Sequence, residues 1–356
     1  MARMGLTAVL TALLAFGICV ALHLLALRLF PQLNLLDFPE RYNLRRARLP
    51  YPTGILAVLT FLGFFLWLEP INRQSLGIVL GVILLAITTF IDDRRPLPWY
   101  VRLGIQLITA FIVFGFGTRI YSITNPLTAD GIIKLDSIVF RMSLFADPPL
   151  WSGLFTILWL GLTMNALNWF DGIPGQVSVL STIGFLTIGF LARNLSVDVP
   201  DAALQANLSE LAFLLAGLSA ACLLFDFPPN RVLMGDTGAM FFGLMLGVLT
   251  IYAGGKVATA FLVLGVPLID SVIVVTRRLA KGASPFRGNT KDEHLHHRLL
   301  AKGWQPQQII LLTAGLGSVF GVTALYLSTF QKLLAAVLLL LIMLGLQWYS
   351  SPKRST

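Results

Sequence analysis

Charge is scarce in this chain. Asp, Glu, Lys and Arg together make up 12% of its 356 residues, against about 25% in a soluble domain. Cysteine is nearly absent. The two present, Cys19 and Cys222, both lie in apolar runs, which excludes a disulfide framework or a cysteine metal centre and reads as buried, inert thiols. Histidine occurs four times, so any histidine cluster is conspicuous. No fixed-period repeat and no long polar segment interrupts the chain, which excludes a repeat architecture or a separate soluble domain. What fills the space is hydrophobic residues, 56% of the total.

Apolar stretches of roughly 16–25 residues recur from end to end, predicting an all-α polytopic membrane protein in one domain spanning 1–356. About eleven spans are expected, near 5–30, 53–68, 76–91, 101–117, 151–167, 175–193, 208–225, 238–252, 257–275, 309–328 and 333–349. The first stretch is too long for a signal-peptide core and reads as a retained span. One set of alternate loops holds 17 of the 26 Lys and Arg residues and the opposite set eight. The richer set should be cytoplasmic, which puts the N-terminus outside and the C-terminus inside. The net charge of +9 then reflects that bias and contact with anionic lipid or phosphate rather than nucleic acid. Segment 118–150 is expected outside, with Ile132–Leu135 and Ile138–Phe140 as short strands of a hairpin. Segment 276–308 is expected to form a basic, histidine-containing cytoplasmic loop.

Four polar clusters border the apolar stretches, all on the side that loop charge assigns to the cytoplasm. Asp92-Asp93 ends the third stretch. Adjacent carboxylates repel, so the pair calls for a divalent cation or a basic group; a helix end paired with Arg94 and Arg95 is the plainer alternative. Asn165, Asn168 and Asp171 fall three apart, one stripe of a helix. The alternative is a polar helix end before the Gly172–Gly175 turn. Asp236, in Met234-Gly235-Asp236-Thr237-Gly238, reads either as an N-cap or as a metal ligand at a helix end that itself attracts phosphate. His294, His296 and His297 lack the helical pair and third partner of a zinc site. Their basic setting favours phosphate contact or acid–base work over a merely solvated loop. His23, inside the first span, reads as a structural polar contact. Arg45 and Arg48 in the first inner loop, and Arg287 before the histidines, are candidate phosphate ligands, or a plain positive-inside signal.

Taken in order, Asp92-Asp93, Asn165–Gly172, Met234–Gly238, Ser284–Phe286 and His294–His297 resemble the polyprenyl-phosphate N-acetylhexosamine-1-phosphate transferase superfamily. The likeness runs from Asp37 to Leu300, and the His-Leu-His-His form looks more like its surface-polysaccharide and teichoic-acid branch. Three departures stand out. The family commonly reads Asp-Gly-Ile-Asp-Gly where this chain has Asp171-Gly172-Ile173-Pro174-Gly175, so a second carboxylate is absent. Leu44–Arg48 replaces a Lys-x-His, and Ala239 stands where Ser is frequent.

The resemblance implies transfer of a sugar 1-phosphate, GlcNAc-1-phosphate first, from a UDP-N-acetylhexosamine to undecaprenyl or another polyprenyl phosphate. UMP is released at the cytoplasmic face of the inner membrane. It implies Mg²⁺, with Mn²⁺ as a substitute, held chiefly by Asp236 with Asp171. Asp92 or Asp93 would sit near the lipid phosphate, and Asn165, Asn168 and Asp171 near nucleotide or metal. His294, His296 and His297, with arginines such as Arg45, Arg48 and Arg287, would hold the diphosphate. Another N-acetylated donor, phospho-MurNAc-pentapeptide transfer, a transporter and an inactive homologue remain alternatives at this stage, and a homodimer stays open. A transporter would show inverted repeats and midplane charges; neither is visible here.

Overall fold

The computed structural model describes residues 2–42, 46–125, 131–139, 147–195, 202–253, 257–284 and 293–351. Arg45 and Arg287 lie outside these residues. Thirteen helices are described: α1 (Ala2–Gln32), α2 (Gly54–Leu68), α3 (Arg73–Arg94), α4 (Trp99–Gly115), α5 (Leu150–Phe170), α6 (Gln176–Leu195), α7 (Ala202–Asp226), α8 (Gly235–Tyr252), α9 (Val257–Val263), α10 (Gly265–Ala280), α11 (Leu295–Ala301), α12 (Pro306–Ala324) and α13 (Thr329–Tyr349). Eight of them (α1, α3, α5, α6, α7, α8, α12 and α13) are long and apolar enough to cross a membrane. With α2 and α4 as shorter apolar helices, the chain is an all-α, multi-pass membrane protein.

The stretch 257–275, expected as one span, is two helices. Pro267 has no N–H to donate, and its ring would crowd the carbonyl four residues back. That carbonyl belongs to Val263, the last residue of α9. The segment between α4 and α5 carries a hairpin, β1 (Ser122–Thr124) antiparallel to β2 (Ile132–Lys134), with Ile123 opposite Ile133. Val139 makes only an isolated bridge, to Pro149, and Phe140 lies outside the described residues.

The bundle is built around α8. All of its 18 residues except Asp236 and Tyr252 are buried, as suits a helix that is apolar on every face. Helices α2, α3, α5 and α6 pack around it. At the opposite extreme α13 exposes Leu334, Leu338, Leu341 and Leu344, a lipid-facing stripe. Cys19 and Cys222 are buried free thiols. His23 is buried too, with Nδ1 2.9 Å from the Cys19 carbonyl and its ring stacked on Phe225 at 5.0 Å.

Side-chain bonds bring the C-terminal ends of α3 and α5 and the N-terminal ends of α4 and α8 together at one end of the bundle. Backbone pairing braces that end. Thr53 and Gly54 donate to the carbonyls of Leu233 and Met234 at 3.0 and 2.9 Å, and Leu233 donates back to Pro50 at 3.0 Å. Asp37 N–H and Tyr51 N–H bond Leu49 and Leu35, each at 3.0 Å. The segment before α2 is thereby tied to the entry of α8.

Candidate active site

At the braced end lies a cavity of about 350 Å³ whose wall includes Asp92, Asp93, Asp171, Asp226, Asp236 and Arg102. Four of these carboxylates come from the polar clusters of the sequence. Asp226 and Arg102 were not singled out there.

Asp93 crosses from α3 to cap α8. Its Oδ1 accepts from Tyr51 Oη at 2.5 Å and from the Asp236 N–H at 2.9 Å; its Oδ2 accepts from the Thr237 N–H at 3.0 Å and Thr237 Oγ1 at 2.6 Å. The two backbone N–H groups are donors that a helix N-terminus leaves unsatisfied, and a negative charge there is further favoured by the helix dipole. Asp236 is therefore not the cap of its own helix. Its carboxylate faces the cavity. Gly235 makes this close approach feasible: its φ is +78°, and a Cβ there would lie 2.8 Å from Asp93 Oδ2, Pro52 and Tyr51 alike.

Asp92 is buried and accepts from the Leu97 N–H at 2.6 Å and from Arg102 Nε at 3.0 Å. The basic partner of the Asp92-Asp93 pair is thus Arg102 of α4, not Arg94 or Arg95. Arg94 donates instead to the carbonyls of Leu36 and Asn34. The same Arg102 guanidinium reaches Asp236 Oδ2 at 2.6 Å and Asn168 Oδ1 at 3.1 Å through Nη2. One cation thereby ties α3, α5 and α8 together.

The Asn165–Asn168–Asp171 stripe divides. Asn168 and Asp171 reach the site. Asn165 instead donates to Gln106 Oε1 at 2.6 Å and to the Gly161 carbonyl at 2.8 Å, and Gln106 bonds Met240 Sδ. Asn165 thus fastens α5 to α4 and α8. Desolvation, with the charges of Asp226, Asp236 and Asp93 adding to it, holds the Asp171 carboxyl well above the ordinary carboxylate range. Asp226, at the end of α7, accepts from Ser178 Oγ at 2.6 Å through Oδ2, while its buried Oδ1 has no protein partner. Asp226 and Pro174 line the same cavity.

The histidines gather beside the Asp171–Gly172 turn. His296 is buried with both ring nitrogens unpartnered, and a Cβ on Gly172 would lie 2.0 Å from its Nε2. Desolvation, reinforced by His297 and His294, holds His296 well below its ordinary pKa, so it is a neutral imidazole. His294 is pinned through Nδ1 to Asp270 Oδ2 at 2.7 Å, and its ring stacks on His296 at 5.7 Å. His297 lies 4.2 Å from His296 by ring centroids. In the first inner loop, Arg46 rather than Arg48 reaches the cavity wall. Arg46 makes a two-pronged pair with Asp37, at 2.6 and 3.2 Å; Arg48 turns away to Glu40 at 3.2 Å and over Phe38.

Among the described residues, no three His, Cys, Asp or Glu converge as a closed metal cluster. Mg²⁺ does not require one. In phosphoryl-transfer sites it takes one or two carboxylates and completes its shell with phosphate oxygens and water. The donor set here is all oxygen. Asp37, Asp92, Asp93, Asp226 and Asp236 share the cavity wall with Asp171 and with the two guanidiniums of Arg46 and Arg102, and a buried Asp226 oxygen is left over. These residues fit a hard divalent cation.

The sequence profile of glycosyl transferase family 4 matches residues 75–254, from the start of α3 to just past α8. A probable undecaprenyl-phosphate N-acetylglucosaminyl 1-phosphate transferase of Bacillus subtilis is 25% identical over 282 residues, covering 78% of this chain and 72% of that protein. A decaprenyl-phosphate N-acetylglucosaminephosphotransferase of Mycobacterium tuberculosis is 25% identical over 339 residues, 88% of this chain and 78% of that one. A phospho-N-acetylmuramoyl-pentapeptide-transferase of Rickettsia canadensis is 27% identical over 319 residues, 87% and 88%. With the profile covering half of its length, including the parts of α3, α4, α7 and α8 that line the carboxylate cavity, this chain belongs to glycosyl transferase family 4.

Proposed function

We propose that this protein transfers a sugar 1-phosphate, GlcNAc-1-phosphate first, from a UDP-sugar to a polyprenyl phosphate at the cytoplasmic face of the inner membrane. The observation that carries this reading is the convergence of Asp92, Asp93, Asp171, Asp226 and Asp236 around Arg102 at one end of the bundle. A cluster so rich in carboxylates is stable only with cations, and phosphoryl transfer proceeds by positioning and charge neutralisation. Relatives named for transfer to undecaprenyl and decaprenyl phosphate support the acceptor class. Loop charge supports the orientation, with the N-terminus outside, about eleven crossings and the C-terminus inside.

In this reaction one pyrophosphate P–O bond breaks and another forms. An oxygen of the lipid phosphate attacks the phosphorus that bears the sugar, and UMP leaves. A phosphate monoester has its second pKa near 6, so the attacking group is already ionised and direct attack needs no strong base. Asp236 and Asp171 would hold Mg²⁺, or Mn²⁺ in its place, and the ion when bound would draw charge off the diphosphate. Asp93 holds the entry of α8, and so Asp236, in position. Arg102 neutralises Asp92 and Asp236 and orients Asn168. His296, neutral and unpartnered, offers a ring N–H to a phosphate oxygen. Asp226 supplies from α7 the carboxylate that the 171–175 turn lacks at Pro174.

The test is reconstitution of the purified protein with undecaprenyl phosphate, radiolabelled UDP-GlcNAc and Mg²⁺. Label should pass into the lipid extract with matching UMP release, and EDTA should stop it. Absence of transfer from UDP-GlcNAc, other UDP-N-acetylhexosamines and UDP-MurNAc-pentapeptide alike would overturn the reading.

A further inference from the structure

A second and larger cavity, about 700 Å³, opens where the C-terminal ends of α10 and α13 meet α11. It shares no wall residue with the carboxylate cavity. Among the described residues, Arg277, Arg278, Lys281, Arg298 and Lys302 line it, against a single carboxylate, Glu293.

The arrangement of these cations is unusual. Arg277 Nη1 donates to Gln347 Oε1 at 2.9 Å, and Arg298 Nη1 donates to the same oxygen. Two guanidiniums thus converge on one neutral amide. Arg298 also reaches Ser351 Oγ at 2.7 Å, and Lys302 Nζ lies 4.5 Å from the Tyr349 ring. Glu293 is engaged by Arg278, with Nε at 2.8 Å. Asp270, a further acid among the described residues, is committed to His294 and to the Gln347 amide at 2.8 Å. Arg278 and Arg298 are both buried, and burial together with the Arg277 charge pulls the Arg298 guanidinium below its ordinary value. Like charges held together in a partly enclosed space are repulsive until an anion joins them.

The depth of the cavity narrows the choice of anion. Its rim carries Ser350 and Ser351, directly after Trp348 and Tyr349, which are 82% and 49% exposed. Exposed aromatics at the end of an apolar helix mark the level of lipid head groups. The outward leucines of α13 run toward the same end, offering a path for acyl chains. Basic pockets between helices at this level suit phosphate-bearing lipids.

We infer that this cavity binds the phosphate head group of an anionic phospholipid, at a place separate from the candidate active site. The side chains that hold it connect onward: Arg277 and Arg298 bond Gln347, Gln347 bonds Asp270, and Asp270 bonds His294. An occupied cavity therefore fixes the helix that carries the histidines.

The experiment uses the full-length protein in detergent, with lipid retention read by native mass spectrometry after equilibration with phosphatidylglycerol or phosphatidylcholine. A triple variant, Arg277→Gln, Lys281→Gln and Lys302→Gln, is run beside it, and inorganic phosphate is a third arm read by thermal unfolding. Wild type should retain phosphatidylglycerol preferentially, and the variant should lose that preference by about tenfold or more, three basic contacts being removed. Should the variant fold poorly, the single Lys281→Gln protein gives the same comparison with a smaller effect. Equal retention of the two lipids by wild type, or an undiminished preference in a folded variant, would overturn the site. Stabilisation by inorganic phosphate without lipid retention would overturn the lipid assignment.

Discussion

Replacing Asp93 by Asn should weaken the fold before it affects any chemical step. The carboxylate accepts four hydrogen bonds, two through each oxygen, from Tyr51, the Asp236 N–H, and the N–H and hydroxyl of Thr237. An Asn amide keeps one acceptor oxygen. Turned toward Tyr51 and Asp236, it presents Nδ2 to the Thr237 N–H, donor against donor. Flipped, it orphans the Asp236 N–H instead. Either way one backbone donor at the start of α8 is left unsatisfied, which costs about 1–3 kcal/mol. Loss of the charge at the helix N-terminus adds about 0.3–1 kcal/mol. The sum, about 1–4 kcal/mol, should lower the thermal midpoint of the detergent-solubilised protein by several degrees. Tryptophan fluorescence during heating would record it. Asp93→Ala, which strands all four donors, should fall further. Activity of Asp93→Asn should drop as well, because Asp236 rides on the same turn of α8. A thermal midpoint for Asp93→Asn equal to that of wild type, with activity abolished, would refute the capping role and return Asp93 to the chemistry.

The complementary variant is Asp236→Asn. Asp236 makes no cap, so its midpoint should stay close to wild type while Mg²⁺-dependent transfer is lost; activity within a few fold of wild type would remove it from the metal site. Orientation can be read by labelling: a cysteine at exposed Lys281 should be protected from impermeant reagents in intact cells, and one at exposed Ser137 should react. The reverse pattern would detach the carboxylates from cytoplasmic UDP-sugars. At the 171–175 turn, Pro174→Asp would set a second carboxylate beside Asp226 in one cavity, and like charges repel. It should therefore raise the KM for the UDP-sugar in the wild-type background and lower it in an Asp226→Asn background. Equal effects in both, across UDP-GlcNAc, UDP-GalNAc and rarer UDP-N-acetylated sugars, would show that Pro174 and Asp226 do not share one role.

Much of this protein is legible along the chain because a bilayer imposes local rules. A span must be apolar for its whole length and must satisfy its own backbone, so scarcity of charge and the recurrence of apolar stretches are sufficient to give an all-helical membrane protein. A polar residue at the border of such a stretch stands out for the same reason, and Asp92, Asp93, Asp171 and Asp236 are visible without coordinates. Pro267 could have been read as the break between α9 and α10, since its effect on the carbonyl of residue 263 is local too. Arg102 and Asp226 carried no comparable signal. An arginine at the start of a span reads as orientation charge, and Asp226 follows an apolar run like any helix end.

What each of these groups does was decided only by packing. Asp93 caps a helix 143 positions away in sequence, Arg102 binds a carboxylate 134 positions away, and Asn165, on the same stripe as Asn168, was drawn off to Gln106. Hydrophobic periodicity says which residues leave water, but it is indifferent to which helix ends meet. That choice is made by the close packing of α3, α4 and α5 against α8, and hydrogen bonds, reaching only about 3 Å, register the outcome.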